Sequence, residues 1–294
     1  MLDRLEMFIA LAQTRHFGRA AEACGVTQPS LSSAIKQLEG ELGVQLVWRG
    51  SRFEGLTPEG ARTLDWAIRI VGDARTLREE MRAARHGLSG NLRLGVVPTA
   101  LPMIARLTGP YLRANPNVRI EILSRSSIEI LQQIDTLQLD AGVSYLDNEP
   151  LGRVVTVPLY PERYLLLVRP DHPLAGQTAL NWFDLAGLPL CLLTPDMQNR
   201  RIINAELDRA GIAALPQLES NSILTLIAHV QAGPWVSVVN AHTAELFAKT
   251  PDLSAVPLTG EGEAKLVGLI APWREPHTPV LAALLAEARR FGRT

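Results

Sequence analysis

The chain has 294 residues, of which 47% are hydrophobic and 20% are charged, and its formal net charge is −1. This length suits two or three domains, and the composition excludes a disordered or fibrous protein. No apolar run approaches the ~20 residues needed to cross a bilayer, and the first residues lack the apolar region of an export signal. We therefore expect a cytoplasmic protein with no membrane partner.

Motifs for catalysis and for cofactor or metal binding are missing from the sequence. There is no nucleophile elbow, phosphate-binding loop, dinucleotide glycine fingerprint or zinc-protease motif. The two cysteines, Cys24 and Cys191, form no CxxC pair, and the histidines show no metal-ligand spacing. We expect no enzyme activity, no metal and no cofactor. Because Cys191 lies in an apolar run, a buried structural thiol is expected there, with a redox sensor as the alternative.

Three short helices are predicted at the start of the chain. The first covers residues 1–14, the second ends at Cys24, and after a tight glycine-containing turn the third begins at Gln28. Thr27 or Gln28 can cap the third helix. Its apolar residues recur at spacings of four, three and four, and are predicted to be buried: Leu31, Ile35, Leu38 and Leu42. Two short helices joined in this way are typical of a helix-turn-helix.

The third helix has a small, polar free face. Such side chains can reach base edges and phosphates when the N-terminus of the helix enters a major groove. The predicted DNA-binding residues on this helix are Gln28, Pro29, Ser30, Ser32, Ser33 and Lys36. The first 58 residues hold six Lys or Arg and six Asp or Glu, so the domain is neutral. A neutral domain binds DNA weakly as a monomer, and we expect a dimer.

This segment resembles the N-terminal domain of LysR-type transcriptional regulators. The matching residues are Phe8, Phe17, Ala20-Ala21, Thr27-Gln28-Pro29, Leu31-Ser32, Ile35, Leu38-Glu39, Leu42-Gly43, Leu46, Arg49 and Leu56-Thr57-Pro58-Glu59-Gly60. The resemblance implies a wing of two short strands around Gly50 to Glu54, with Arg49 and Arg52 on DNA. Ser33 stands where the family often has a long polar residue, and Val47 where it usually has phenylalanine. The short reach of Ser33 shifts the expected base readout to Gln28, Ser32 or the wing.

A long helix is predicted from Pro58 to about His86, with Thr57 as its cap. Its apolar residues recur every three or four positions, as in a coiled-coil seam: Leu64, Ile68, Val71, Ala74, Leu77, Met81 and Ala84. We expect a dimerising linker, with a packed domain helix as the alternative. The segment 87–90 then acts as a hinge. The predicted domains are a winged helix-turn-helix at 1–58, a linker helix at 59–87 and an effector-binding domain at 88–294.

From Asn91 onward, short apolar strands alternate with helices. This order predicts mainly parallel sheets covered on both faces, in two lobes. The resemblance implies a periplasmic-binding-protein-like α/β domain in which two strands cross between the lobes, near Pro161–Arg163 and Glu263–Lys265. Lobe I would hold residues 91–161 and 266–294, and lobe II residues 162–265. The expected fold is therefore an α+β multidomain chain with a winged helix-turn-helix, a long linker helix and a two-lobed effector domain.

Ligands of open α/β sheets bind where strands end and helices begin. Hydroxyls and free N–H groups at such helix starts suit a carboxylate or another anion. The predicted effector-binding residues at these strand ends are Thr99, Ala100, Ser126, Ser127, Ser144, Thr194 and Asn221. Arg200 or Arg201 could pair with a carboxylate, although a structural role is the alternative for both. The hydroxyl residues could equally be helix caps.

These features together predict a LysR-type regulator of transcription. Its partners would be double-stranded promoter DNA, a small-molecule effector and copies of the same chain, as a homodimer and then a homotetramer. A small carboxylate or other anion between the lobes would alter DNA binding. The alternative is an effector-independent architectural or repressor protein that binds DNA. A solute-binding protein would leave the helix-turn-helix unexplained.

Overall fold

The computed structural model describes residues 1–49, 53–147, 149–247, 250–260 and 264–292. The chain divides into two compact units. The first holds Met1–Leu88, Asp135–Gln138 and Pro276–Pro279, and the second holds Ser89–Ile134, Leu139–Glu275 and Val280–Thr294. None of the described helices is both long enough and apolar enough to span a membrane.

The first unit is a winged helix-turn-helix followed by a long helix. Its elements are α1 (Leu2–Thr14), α2 (Phe17–Ala23), α3 (Gln28–Leu42), β1 (Val47–Arg49), β2 (Phe53–Leu56) and α4 (Pro58–His86). Strands β1 and β2 pair antiparallel as the predicted wing. Its core gathers apolar residues from all three short helices, the wing and α4: Leu5, Phe8, Ile9, Leu11, Ala20, Ala21, Leu31, Ile35, Leu38, Leu46, Val47 and Ala67. The predicted helix-turn-helix is confirmed.

Threonine caps begin the two helices on which this unit depends. The Thr27 hydroxyl accepts the Ser30 N–H at 3.3 Å at the start of α3, and the Thr57 hydroxyl accepts the Gly60 N–H at 2.9 Å at the start of α4. Gly60 also permits a close approach, because a Cβ there would lie 1.9 Å from the Leu46 carbonyl oxygen. The start of α4 is thereby fixed against the wing.

Two predictions about buried faces in this unit are wrong. Leu42 is exposed to 44%, because α3 ends there and Leu46 and Val47 of the wing fill the core instead. The predicted seam on α4 is wrong in its first half, where three members pack against the helix-turn-helix core: Leu64, Ile68 and Val71. The large apolar side chains that α4 exposes are Leu77 and Met81, which belong to the predicted seam, and Trp66 and Ile70, which do not.

The second unit is built on two mixed sheets. Its strands are β3 (Gly90–Val96), β4 (Val118–Ser124), β5 (Ala141–Tyr145), β6 (Val154–Pro161), β7 (Tyr164–Val168), β8 (Leu180–Asn181), β9 (Cys191–Leu193), β10 (Leu218–Ser220), β11 (Ser237–Asn240), β12 (Ser254–Thr259) and β13 (Leu266–Pro272). Its α-helices are α5 (Leu101–Ala114), α6 (Ser127–Asp135), α7 (Gln198–Arg209), α8 (Ile223–Ala232), α9 (Ala241–Phe247) and α10 (Pro279–Phe291).

The first sheet has the strand order β4-β3-β5-β13-β6, and the second has the order β11-β7-β12-β8 with the pair β10-β9 beside it. The expectation of mainly parallel sheets is wrong. Strand β13 runs antiparallel to β5 and β6, and β11 and β12 run antiparallel to β7. The reason is that the chain returns from the second sheet to the first, so that β13 enters the first sheet against its direction.

The chain passes between the two sheets twice. Residues 162 and 163 join β6 to β7, and residues 260–265 join β12 to β13. The second predicted crossing includes Glu263, which lies outside the described residues. For brevity, the parts of the chain on either side of these crossings are called lobe I, around the first sheet, and lobe II, around the second.

Glycines let helix α6 pack closely on lobe I. A Cβ at Gly142 would lie 2.2 Å from Ile130 Cγ2, and a Cβ at Gly95 would lie 2.9 Å from Ile130 Cγ1. Both glycines lie on central strands beneath α6. The start of α6 is therefore held firmly at the end of β4, where ligands of α/β sheets bind.

Candidate functional site

The polar face of α3 is accessible. Gln28, Pro29, Ser30, Ser33 and Lys36 are exposed, whereas Ser32 is only half-buried. One of these hydroxyls is already engaged, because Ser30 Oγ lies 2.8 Å from Thr27 Oγ1. Of the two predicted wing contacts, the Arg49 side chain and Arg52 lie outside the described residues. The base-reading and phosphate-binding roles of these eight residues stay predictions.

A cavity of about 720 Å³ lies between the lobes. Lobe I contributes residues from the ends of β3 and β4 and the start of α6, and lobe II contributes residues around the starts of α7, α8 and α9. The lining residues are Pro98, Leu101, Pro102, Ser124, Arg125, Ser126, Glu129, Asp196, Met197, Asn221, Ser222, Ile223, Leu224, Thr243, Leu246 and Phe247. Its volume is in the range of small-molecule sites.

Only two of the seven predicted effector residues line this cavity, Ser126 and Asn221. Thr99 and Ala100 are buried and do not line it, and their effector-binding roles stay predictions. Thr99 does not face the cavity because its Oγ1 lies 3.1 Å from the Tyr145 hydroxyl. Ala100 belongs to the same buried turn that precedes α5. The sequence placed these residues at the right strand end but could not give their direction.

The remaining predicted residues have partners away from the cavity or no contact with it. Ser127 Oγ donates to Glu149 Oε2 at 3.4 Å and accepts a bond from Arg201 at 3.3 Å. Ser144 Oγ donates to Gln198 Oε1 at 3.4 Å. Thr194 is half-buried, and its buried Oγ1 has no hydrogen-bond partner among the described residues.

The two candidate arginines are committed to structural ion pairs. Arg200 is buried and pairs with Glu219 at 2.5 Å, and it also donates to the Leu193 carbonyl at 2.7 Å. Arg201 forms two bonds to Glu149, at 2.6 and 2.9 Å, and so joins lobe II to lobe I. The structural alternative for both residues therefore holds, and neither lines the cavity.

A buried carboxyl group at the first crossing joins the two lobes. Glu162, at the first crossing, accepts hydrogen bonds from Tyr145, from Tyr164 at 2.9 Å and from Asn240 at 2.6 Å. Asn240 also donates to the Thr99 carbonyl at 2.7 Å. Burial raises the pKa of Glu162, and the three hydrogen bonds partly offset that rise. Sequence reasoning missed this network, because a lone Glu at a crossing carries no motif.

Two of the helix starts that meet the cavity, those of α6 and α8, differ in their capping. At α6, Ser126 and Glu129 cap each other: Glu129 Oε2 accepts the Ser126 N–H at 2.8 Å, and the Glu129 N–H donates to Ser126 Oγ at 3.3 Å. At α8, Ser222 makes no side-chain cap, and the first turn contains no acidic residue. The N–H groups in the first turn of α8 are therefore available to an anion.

Two further groups beside the cavity can serve a ligand. Thr243 is 1% exposed, and among the described residues its Oγ1 has no hydrogen-bond partner. Arg125 donates to the Ser124 carbonyl at 2.8 Å and has no carboxylate partner within the described part of the chain. Buried hydroxyls are normally satisfied, so a partner from outside the chain is expected at Thr243.

Neither thiol lies in an environment that favours the thiolate. Cys191 is fully buried, and burial raises the pKa of its thiol to about 11. Cys24 packs against the helix-turn-helix core, and burial together with Glu6 raises the pKa of its thiol. Since the thiolate is the reactive form, these environments indicate structural cysteines. Over the described residues, no cluster of His, Cys, Asp and Glu could hold a metal ion.

Comparison with known proteins gives matches over nearly the whole chain. The family model described as "Bacterial regulatory helix-turn-helix protein, lysR family" matches residues 2–61, and the model "LysR substrate binding domain" matches residues 85–293. The Escherichia coli K12 protein "DNA-binding transcriptional dual regulator OxyR" is 30% identical over 289 residues, which are 97% of this chain and 93% of that protein.

Two solved structures of OxyR are also similar. A full-length cysteine-to-aspartate variant from Pseudomonas aeruginosa has a TM-score of 0.78 and 27% identity, and the similarity covers 98% of this chain and 94% of that one. A cysteine-to-serine variant from Corynebacterium glutamicum with bound H₂O₂ has a TM-score of 0.62 and 25% identity, with coverage of 100% and 92%.

Proposed function

We propose a ligand response for this chain, which belongs to the LysR family of bacterial DNA-binding transcriptional regulators. In the proposal, a small carboxylate or other anion binds in the cavity between the lobes and changes how the protein binds promoter DNA. For this to happen, the ligand must bind one arrangement of the protein better than another. The observation that carries the proposal is the 720 Å³ cavity, onto which the uncapped start of α8 opens.

The proposed DNA contacts are on α3 and the wing. The exposed Gln28 and the half-buried Ser32 would contact bases, and Lys36 would contact phosphate, with Arg49 and Arg52 on the backbone beside them. Non-specific affinity comes from the phosphate contacts, and sequence preference comes from the base contacts. The protein would act in the cytoplasm, where the promoter lies.

Assembly through α4 is supported by its exposed apolar face. Trp66 is 62% exposed, Leu77 58% and Met81 54%, which is unusual for side chains of this size in a monomer. We propose a homodimer through residues 59–87, and a homotetramer built from two such dimers. A two-fold dimer reads two half-sites, so the target would have dyad symmetry.

The proposed response does not use thiol oxidation, although several relatives are named hydrogen peroxide-inducible genes activators. The two thiols of this chain are buried or half-buried, and burial raises both pKa values. A thiol sensor needs an accessible cysteine with a low pKa. This difference favours a bound ligand over peroxide as the signal.

Footprinting of the purified full-length chain on the intergenic DNA beside its own gene tests the proposal. A protected tract with a dyad, whose extent or affinity changes when a cell extract supplies ligand, is the expected result. Gln28→Ala should weaken binding to that tract by about 1–3 kcal/mol and leave random DNA almost unaffected. Lys36→Ala should weaken both and reduce the salt dependence. Protection that never responds to any extract would favour the effector-independent alternative, and no protection would refute DNA recognition at this site.

A further inference from the structure

The cavity carries information about the chemical class of its ligand, and the inference drawn from it rests on the proposed function. We infer that the ligand is an amphipathic monoanion: one carboxylate on an apolar body, rather than a small polar acid or a dicarboxylate. Three sets of lining groups lead to this class: the uncapped start of α8 with the Thr243 hydroxyl, the apolar walls, and the charges that remain.

The groups that would bind the carboxylate, here called the anion seat, lie on lobe II. The first turn of α8 presents N–H groups that no side chain caps, and Asn221 and Ser222 lie beside it on the cavity. Thr243 adds a buried hydroxyl whose oxygen has no partner among the described residues. A carboxylate accepts bonds from both kinds of donor and also interacts favourably with the positive end of the helix. Across the cavity on lobe I, Arg125 is a cation without a carboxylate partner in the described chain.

The apolar walls of the cavity fit a ligand with a large apolar body. Leu224 is 68% exposed and Leu246 is 63% exposed, and both line the cavity. Leu101, Ile223 and Phe247 extend this apolar surface. At about 30 Å³ per water, the cavity holds roughly 24 waters, far more than a two-carbon acid displaces. Each methylene of a ligand that is buried here raises the affinity of that ligand about fourfold.

The remaining charges reject a second carboxylate. The other ionic groups on the cavity wall are Glu129 and Asp196, both acidic. Glu129 is held in place by its two hydrogen bonds to Ser126, so it cannot turn away from a ligand. One anion therefore has a seat at α8, whereas a second anion would meet like charge. Glu129 is engaged with its helix cap and Asp196 is exposed, so a cationic ligand lacks an equally buried seat.

Calorimetry on the full-length chain tests the class with a matched set of probes. Decanoate has one carboxylate and an apolar chain, decanedioate adds a second carboxylate, acetate lacks the chain, and decanol and decylamine replace the negative charge. We expect decanoate to bind at least about tenfold more tightly than each of the others. Binding of any of the other four probes that equals or exceeds that of decanoate would overturn the assignment.

Variants place the binding in the cavity. Thr243→Val keeps the side-chain shape and should weaken decanoate binding by about tenfold, whereas Thr243→Ser keeps the hydroxyl and should restore most of the affinity. Leu246→Ser should weaken decanoate more than it weakens acetate. Leu215→Ser is the matched control, because Leu215 is 80% exposed and does not line the cavity. Unchanged affinity in both Thr243→Val and Leu246→Ser would overturn the inference.

A parallel footprint, run without ligand and then with each probe, separates this inference from the proposed function. Protection of the operator together with no preference among the probes refutes the ligand class alone. Absence of protection refutes the DNA role, while calorimetry still decides the ligand class. Protection that decanoate alters, and decanedioate does not, supports both.

Discussion

The starts of α6 and α8 face the same cavity from opposite lobes, and they satisfy their N–H groups in different ways. At α6, Ser126 and Glu129 bond to each other, so the helix start is complete within the chain. At α8, Ser222 makes no such bond. A capped helix start has its N–H groups bonded within the chain and only lines the cavity, whereas an uncapped start leaves N–H groups that can bind a ligand. The comparison separates two serines that look alike in the sequence.

The largest expected effect comes from a variant that caps the start of α8. Ser222→Asp places a carboxylate at the cap position of α8, where it would bond to the N–H groups that an anion would otherwise use. We expect decanoate to bind about a hundredfold more weakly, because like charges would then share one seat. Titration calorimetry measures this change.

The matched control for that variant is Ser222→Asn, which supplies a cap of the same shape without the charge. Its effect should be clearly smaller than that of Ser222→Asp. Equal losses would show that capping alone closes the seat, and unchanged binding in Ser222→Asp would show that the ligand does not use the start of α8.

The next largest effect is a loss of stability when the close packing of α6 is disturbed. Gly142→Ala would place a Cβ 2.2 Å from Ile130 Cγ2 and would push α6 away from β5. Overpacking of this kind costs about 1–3 kcal/mol, and chemical denaturation measures it. Gly176→Ala is the control, since a Cβ there would meet nothing within 4 Å. If the two variants were equally stable, the close packing of α6 would not limit its position.

The reciprocal cap at the start of α6 gives the next largest effect, on stability. Ser126→Ala removes one half of the reciprocal cap and should reduce the free energy of unfolding by about 1 kcal/mol, which lowers the melting temperature by about 2–4 °C. Affinity for decanoate should change by less than about twofold, because the Ser126 hydroxyl is used by Glu129. A large loss of affinity with unchanged stability would instead return Ser126 to the effector-binding residues.

Sequence reasoning anticipated most of the fold but little of the cavity. The winged helix-turn-helix and α4 carry local signals: apolar spacing, the Thr27 and Thr57 caps, and a long run of family residues. In contrast, the mixed direction of the strands was missed, although the prediction that the chain crosses at Pro161–Arg163 agrees with the junction of β6 and β7. Strand direction in these sheets depends on the return of the chain, which no local pattern encodes.

The individual site residues were harder, because a strand end fixes position but not side-chain direction. Thr99 is at a strand end yet bonds to Tyr145, while Asn221 is at another and lines the cavity. The pattern Ser-x-x-Glu at 126–129 did contain a signal, since it is the signature of a capping box. Leu224, Thr243 and Leu246 had none, because they come together only when α8 and α9 approach one cavity.

The smallest expected effect concerns Glu162, the carboxyl group that joins the two lobes at the first crossing. Burial raises the pKa of Glu162 above its ordinary value near 4.5, so the folded protein holds this proton more tightly than the unfolded chain does. Its contribution to stability is therefore complete below that ordinary value and is lost as the pH rises through the folded pKa. Glu162→Gln cannot ionise, so the stability of the natural chain relative to this variant should fall as the pH rises above 4.5.

Urea denaturation at a series of pH values measures that difference, and a difference independent of pH would contradict the shifted pKa. Tyr164→Phe sharpens the test, because it removes a 2.9 Å hydrogen bond that lowers the pKa of Glu162. The loss of stability with pH should then move to higher pH. A shift in the opposite direction would mean that Tyr164 does not stabilise the ionised carboxylate, and that Asn240 and Tyr145 alone determine its charge where the lobes join.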